Sequence, residues 1–236
     1  MSKSYIVKIY RLFITNNYDY YSFQKIQGKH AKSNFRQFMK IKFLVALICL
    51  IFAQDIFAKN KNKMEKFMDK KILIVYYSRT GNTKGIAEII KTKIGGDLFE
   101  VDTVEKYPDN YHEATEVADK QIKAGIKPAI KANVDVSNYD IIFIGTPAWW
   151  GKMAPALNTF IDRNNFEGKK IVPFVTHGGG GIYAIDKDMA NLTKAETLKP
   201  FSIYGLCEEW VTGPKKCEYP DNVKKDIENW LSKLEL

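Results

Sequence analysis

Three apolar runs in the last two-thirds of the chain each break directly into a loop of small, polar or glycine residues. They are Lys71–Thr83 (KILIVYYSRTGNT), Ile141–Gly151 (IIFIGTPAWWG) and Ile171–Gly181 (IVPFVTHGGGG). Ile72–Tyr77 is rich in β-branched and aromatic residues without polar alternation, as a strand buried on both faces requires. A helical period follows from about Lys84, with apolar Ile86, Ile89, Ile90 and Ile94, and stops near Gly95-Gly96. The same alternation continues. Asp97–Thr103 reads as a strand, Tyr111–Lys123 as a helix and Ala124–Asn138 as irregular chain. Ile141–Gly145 is a central strand, Ala154–Arg163 a helix with Pro155 in its first turn, and Ile171 opens a further strand. Gly181–Leu192 predicts a helix, Phe201–Glu208 a fifth strand, and Asp221–Leu234 an amphipathic terminal helix. Five strands alternating with five helices predict an α/β doubly wound sheet. About 165 residues suffice for one buried core.

The first loop suits an anion. Ser78, Thr80, Asn82 and Thr83 offer short polar side chains, and Gly81 lets the backbone come close to a ligand. A phosphate there would meet hydroxyls, free N–H groups and the positive end of a helix. The same residues also suit plain helix capping. Neither the Walker spacing G-x-x-x-x-G-K-[ST] nor the dinucleotide spacing G-x-G-x-x-G is present. A phospho-acceptor receiver domain would place carboxylates after its first and third strands, where this chain has Ser78 and Thr146.

The second and third loops suit a flat ring. Neighbouring side chains diverge, so Trp149 and Trp150 cannot both enter one core, and at least one belongs at a surface or against a ligand. Pro147 stiffens that loop and Gly151 opens its backbone. Packing of both indoles against helices is the alternative. Thr176-His177 followed by four glycines exposes backbone N–H groups able to bond a pyrimidine edge, or forms only a flexible turn.

In series, SRTGNT, P-x-W-W-G and THGGG resemble the loops of the flavodoxin-like family, specifically its bacterial flavodoxin-domain proteins, over essentially all of 71–236. The resemblance implies an open parallel five-stranded sheet of order 2-1-3-4-5 with helices on both faces. It also implies FMN at the switch point outside the strands' carboxyl ends, a geometry for which flavodoxin is itself the standard example. By position, Ser78, Arg79, Thr80, Gly81, Asn82 and Thr83 would hold the phosphate. Pro147, Ala148, Trp149, Trp150 and Gly151 would flank the isoalloxazine, and Thr176, His177, Gly178 and Gly179 would close its other side. An FMN-dependent electron carrier or small-acceptor reductase is expected. An NAD(P)H:quinone reductase and a non-catalytic exported binding module are the alternatives, with NAD(P)H or a quinone as candidate redox partners. No feature of the sequence identifies a nicotinamide pocket.

The first 70 residues read differently. Phe43–Phe52 (FLVALICLIF) is a ten-residue apolar run, preceded by Lys40 and Lys42 and followed by Ala53-Gln54-Asp55-Ile56-Phe57-Ala58, with Ala58 as the last residue before cleavage. That order is a secretory signal peptide over 39–58, and it is too short for a membrane span of roughly twenty residues. Residues 1–38 read as an upstream extension from a mis-assigned start, 59–70 as a basic linker, and 71–236 as the FMN-binding domain. Export to the periplasm or envelope is expected, leaving no stable membrane span after cleavage. A start at Met64 or Met68 would instead leave a cytoplasmic protein. Residues 1–58 hold nine Lys/Arg and two Asp/Glu, hence +7 of the net +9. The high pI therefore belongs to the leader, and no nucleic-acid partner is expected. Cys207 and Cys217 flank Gly213-Pro214, so a disulfide and two free thiols are both open. His30, His112 and His177 are too scattered for a metal site.

One electrostatic expectation follows. Asp and Glu are absent from 146–154 and 176–182, while Lys152 and His177 are present. Cations near the ring would stabilise negative charge on it and give a less negative two-electron potential than that of an acidic flavodoxin. For His177 two readings stand open: a solvated loop residue, or a group that donates a proton or hydrogen bond at the flavin's edge.

Overall fold

The computed structural model describes residues 39–49, 51, 54, 64–206 and 217–236. It divides into two compact units, Met1–Asn62 and Lys63–Leu236. In the first, residues 39–49 are helical, with Phe43, Leu44, Val45 and Leu47 exposed. The expected extension over 1–38 lies outside the described residues. Among those described, no helix is long and apolar enough to cross a membrane.

The second unit is a parallel sheet between helices. Its elements are β1 (Ile72–Tyr76), α1 (Asn82–Ile94), β2 (Asp97–Glu100), α2 (Tyr111–Ala124), β3 (Ile141–Pro147) and α3 (Pro155–Asp162). There follow β4 (Lys170–His177), α4 (Ile185–Thr193), β5 (Glu196–Thr197), β6 (Phe201–Tyr204) and α5 (Asp221–Ser232). The spatial order is β2-β1-β3-β4-β5, with β6 also on β4. This is the expected 2-1-3-4-5 order, with one change. The fifth position is held by two short pieces, not by one strand over 201–208. Glu196 and Thr197 pair with Lys170 and Ile171, and Phe201 to Tyr204 pair with Phe174 to His177. Pro200 lies between them and has no N–H to donate to a ladder. Residues 207 and 208 lie outside the described part.

Strand periodicity divides the core. Ile72, Ile74, Tyr76, Ile141, Phe143, Val172 and Phe174 face one side, where Ile86 and Ile90 of α1 and Val223, Ile227 and Leu231 of α5 pack. Leu73, Val75, Ile142, Ile144, Ile171 and Val175 face the other, against Leu157 and Phe160 of α3 and Ile185 and Met189 of α4. At Gly145 a Cβ would lie 2.1 Å from the Phe174 ring, so this central strand needs glycine for close packing. The core begins before Lys71. Phe67 is buried in it, and the Lys66 ammonium donates to the Ser232 and Leu234 carbonyls, so residues 64–70 pack as part of this unit.

Candidate functional site

Adjacent parallel strands end at one level, so the loops after β1, β3 and β4 converge on one rim. Between them lies a cavity of about 320 Å³, within the size range of small-molecule sites. Ser78, Arg79, Thr80, Asn82 and Thr83 of the first loop line it.

The capping reading of this loop does not hold. Gly81 is the N-cap of α1, at φ 87°, and makes no side-chain cap hydrogen bond. Having no side chain, it leaves the start of α1 without the usual Ser, Thr or Asn cap at that position. Asn82 Nδ2 donates instead to Thr80 Oγ1 at 3.0 Å. The Thr83 and Thr176 hydroxyls are 2.9 Å apart and buried, tying the first loop to the third. Ser78 Oγ is buried with no hydrogen-bond partner among the described residues. A buried hydroxyl in that state carries a desolvation penalty until an acceptor arrives. The chemistry fits an anion: orphan hydroxyl, glycine-capped helix start and nearby guanidinium. Among the described residues, Arg79 is the sole formally charged one lining the cavity. Its Nη2 donates to the Pro108 and Asp109 carbonyls at 3.2 and 2.6 Å, binding the loop before α2 to the first loop.

The second loop separates its two indoles. Trp149 N and O exchange hydrogen bonds with Lys152 O and N at 2.8 and 2.9 Å. The two central residues, Trp150 and Gly151, have φ of 52° and 73°. Two positive φ values in a two-residue hairpin turn match type I′ geometry, easy for glycine and strained for tryptophan. Trp149 lines the cavity with Pro147 and Ala148 and meets Tyr107 and Tyr77 edge-on, at centroid distances of 4.9 and 5.4 Å. Trp150 is 64% exposed, and its Nε1 donates to Thr115 O. Burial pushes the Tyr107 phenol up to about 12 and the Tyr77 phenol higher, so this aromatic floor carries no charge near neutrality.

In the third loop, Thr176, His177 and Gly178 line the cavity. The Gly179 N–H donates to His177 Nδ1 at 3.1 Å, which leaves the neutral ring's proton on Nε2. Partial burial lowers the His177 pKa below 6.5. Lys152 is paired with Asp188 at 2.8 Å and does not line the cavity. The two expected cations at the ring are thus a neutral imidazole and a compensated ammonium, because α4 brings Asp188 to the loop from 36 residues away.

Of the expected site residues, Gly81, Trp150, Gly151 and Gly179 shape the loops and do not line the cavity. Tyr111, Gly180, Tyr183, Tyr204 and Gly205 line it and were not expected from sequence. Tyr204 and Gly205 arrive through β6, which pairs Tyr204 with His177 and sends the Gly205 N–H to His177 O. Tyr183 packs over Gly180, where a Cβ would lie 1.6 Å from the phenol oxygen. An aromatic beside a glycine run is the one local signal for it.

A family model for flavodoxin matches residues 71–205, covering every loop just described. The chain belongs to the flavodoxin family. Among solved structures, this flavodoxin domain is similar to a candidate flavoprotein from Bacteroides uniformis ATCC 8492. The two are 25% identical, with 70% of this chain and 99% of that one covered and a TM-score of 0.57. A second such protein, from Bacteroides eggerthii DSM 20697, is 28% identical, with 69% and 96% covered and a TM-score of 0.53. Among curated proteins it is similar to an NAD(P)H dehydrogenase (quinone) of Cupriavidus metallidurans, at 29% identity over 93 residues. That match takes in 39% of this chain and 46% of the relative, so the chain spans less than half the length of that protein.

Proposed function

We propose that the chain is an FMN-dependent redox protein that passes electrons to a small acceptor. The observation that carries this reading is the buried Ser78 hydroxyl, unpartnered among the described residues, after β1 and before the glycine-capped start of α1, in a cavity that Trp149 also lines. FMN is the family's cofactor, and the residues present fit it. Ser78, Thr80, Asn82 and Thr83 would hold the phosphate, with Arg79 supplying positive charge. Pro147, Ala148 and Trp149 would flank the ring, and Thr176 to Gly179 would close its polar edge. Bound flavin supplies reversible one- and two-electron transfer, including hydride acceptance.

The protein's own part is binding, orientation and electrostatics. Trp149, fixed edge-on by Tyr77 and Tyr107, offers a rigid apolar face that excludes water. His177 holds its proton at Nε2 and can donate a hydrogen bond without bringing charge. No carboxylate lines the cavity among the described residues, so negative charge on the ring meets no fixed anion there.

A second reading, NAD(P)H:quinone reduction, is favoured by the similarity to the C. metallidurans enzyme and by the exposed aromatic rim of Tyr183 and Tyr204. The test is the visible spectrum of the purified full chain with added FMN, followed through gel filtration. Flavin bands that co-elute support the reading, and NAD(P)H oxidation dependent on added quinone selects the second. Protein that emerges colourless overturns both.

A further inference from the structure

The family match ends at Gly205, yet the first residue of α1 is held by chain well beyond it. The Tyr219 hydroxyl lies 3.2 Å from Asn82 O and 3.3 Å from Asn82 Oδ1, so its one hydrogen is shared between these two acceptors. Cys217 Sγ rests 3.5 Å from Asn82 Oδ1. Cys217 is disulfide-bonded, so its sulfur has no hydrogen to donate and this is a packing contact. Both Cys217 and Tyr219 are buried.

The fit is close on every side. At Gly85, one turn into α1, a Cβ would stand 2.9 Å from Cys217 O and 3.0 Å from the Tyr219 ring. At Gly205 a Cβ would stand 3.1 Å from the Asn82 side chain. Asn82 is in turn the residue that bonds Thr80 inside the anion loop and lines the cavity. One side chain therefore links the loop, the end of β6 and the segment Cys217–Tyr219.

We infer that Cys217–Tyr219 is a clamp on the phosphate end of the cofactor site, with Tyr219 as a positioning residue acting through Asn82 and the Cys217 disulfide tethering the segment. The inference rests on the FMN reading above. Among the described residues, the clamp's hydrogen bonds go to Asn82, in the loop that would grip phosphate. It therefore sets the preference for FMN over riboflavin, which has the same ring and no phosphate. Loss of one hydrogen bond through Tyr219→Phe lowers that preference about five-fold. A general loosening of the fold would weaken both flavins together. Dithiothreitol cleaves the disulfide by delivering two electrons and two protons to the sulfurs while closing to its own cyclic disulfide. Release of the tether lowers the preference in the same direction.

The experiment is titration of FMN and riboflavin into the full chain by flavin fluorescence. It compares wild type, wild type with dithiothreitol, and Tyr219→Phe. A fall in the FMN:riboflavin affinity ratio in both perturbed samples is the expected result. An unchanged ratio in Tyr219→Phe overturns the clamp. A fall in the variant with none on reduction overturns the tether and leaves Tyr219 its role. Wild-type protein that binds neither flavin fails the FMN reading itself, which separates that failure from this one.

Discussion

Replacing Ser78 by alanine should move stability and cofactor affinity in opposite directions. In the cofactor-free chain the Ser78 hydroxyl is buried without a partner among the described residues. Such a group carries a penalty of about 1–3 kcal/mol, which alanine removes with little change in shape. Taking the lower end, the apo protein should gain about 1 kcal/mol, a rise in Tm of roughly 2–4 °C for a domain of this size. With FMN the balance reverses, because the hydroxyl then donates to a charged phosphate oxygen. Hydrogen bonds to charged groups contribute about 1.5–3 kcal/mol, so affinity should fall about 10- to 150-fold. Riboflavin affinity should not change. Thermal melts of the apo protein and fluorescence titrations with both flavins measure all three quantities. An apo Tm that falls, or FMN affinity that stays within two-fold, would falsify the assignment of Ser78 to the phosphate.

Three further outcomes are expected. Asp188→Asn frees Lys152, and because the pair is exposed its loss should change stability by less than about 1 kcal/mol. Redox titration of the FMN-loaded variant should nevertheless show a less negative potential, since an uncompensated ammonium then stands in the Trp loop; an unchanged potential would show that Lys152 lies too far from the ring to matter. The lowered pKa of His177 means that the unfolded chain takes up a proton before the folded one does. Apo stability should therefore fall as pH drops below 6.5 toward the folded value, and His177→Asn should lose that component in urea melts. We also propose export. Intact-mass analysis of envelope-fraction protein should then find an N-terminus at Lys59, and a cytoplasmic pool starting at Met64 or Met68 would contradict it.

Much of the architecture is legible from local order. Ile72–Tyr76 and Ile141–Ile144 read as buried strands, because they are short, bounded by turn residues and apolar on both alternating faces. Right-handed βαβ connection then brings their loops to one edge. That is why Ser78, Trp149 and Thr176 meet around one cavity although 98 residues separate the first from the last. The sequence by itself also determined that the two indoles must part, since successive side chains diverge.

Tertiary structure decided what depends on long-range partners. The backbone turn at Trp150-Gly151 chose Trp149 for the cavity and left Trp150 outside. Asp188 arrives on α4 to cancel the Lys152 charge, and the Gly179 N–H together with burial makes His177 a neutral donor. β6 brings Tyr204 and Gly205 beside His177, and Tyr219 reaches Asn82 from 137 residues away. Hydrophobic period and loop composition act over a few residues and can be read directly. Hydrogen bonds and ion pairs are set by distances of about 3 Å, and only the folded chain fixes which groups come that close.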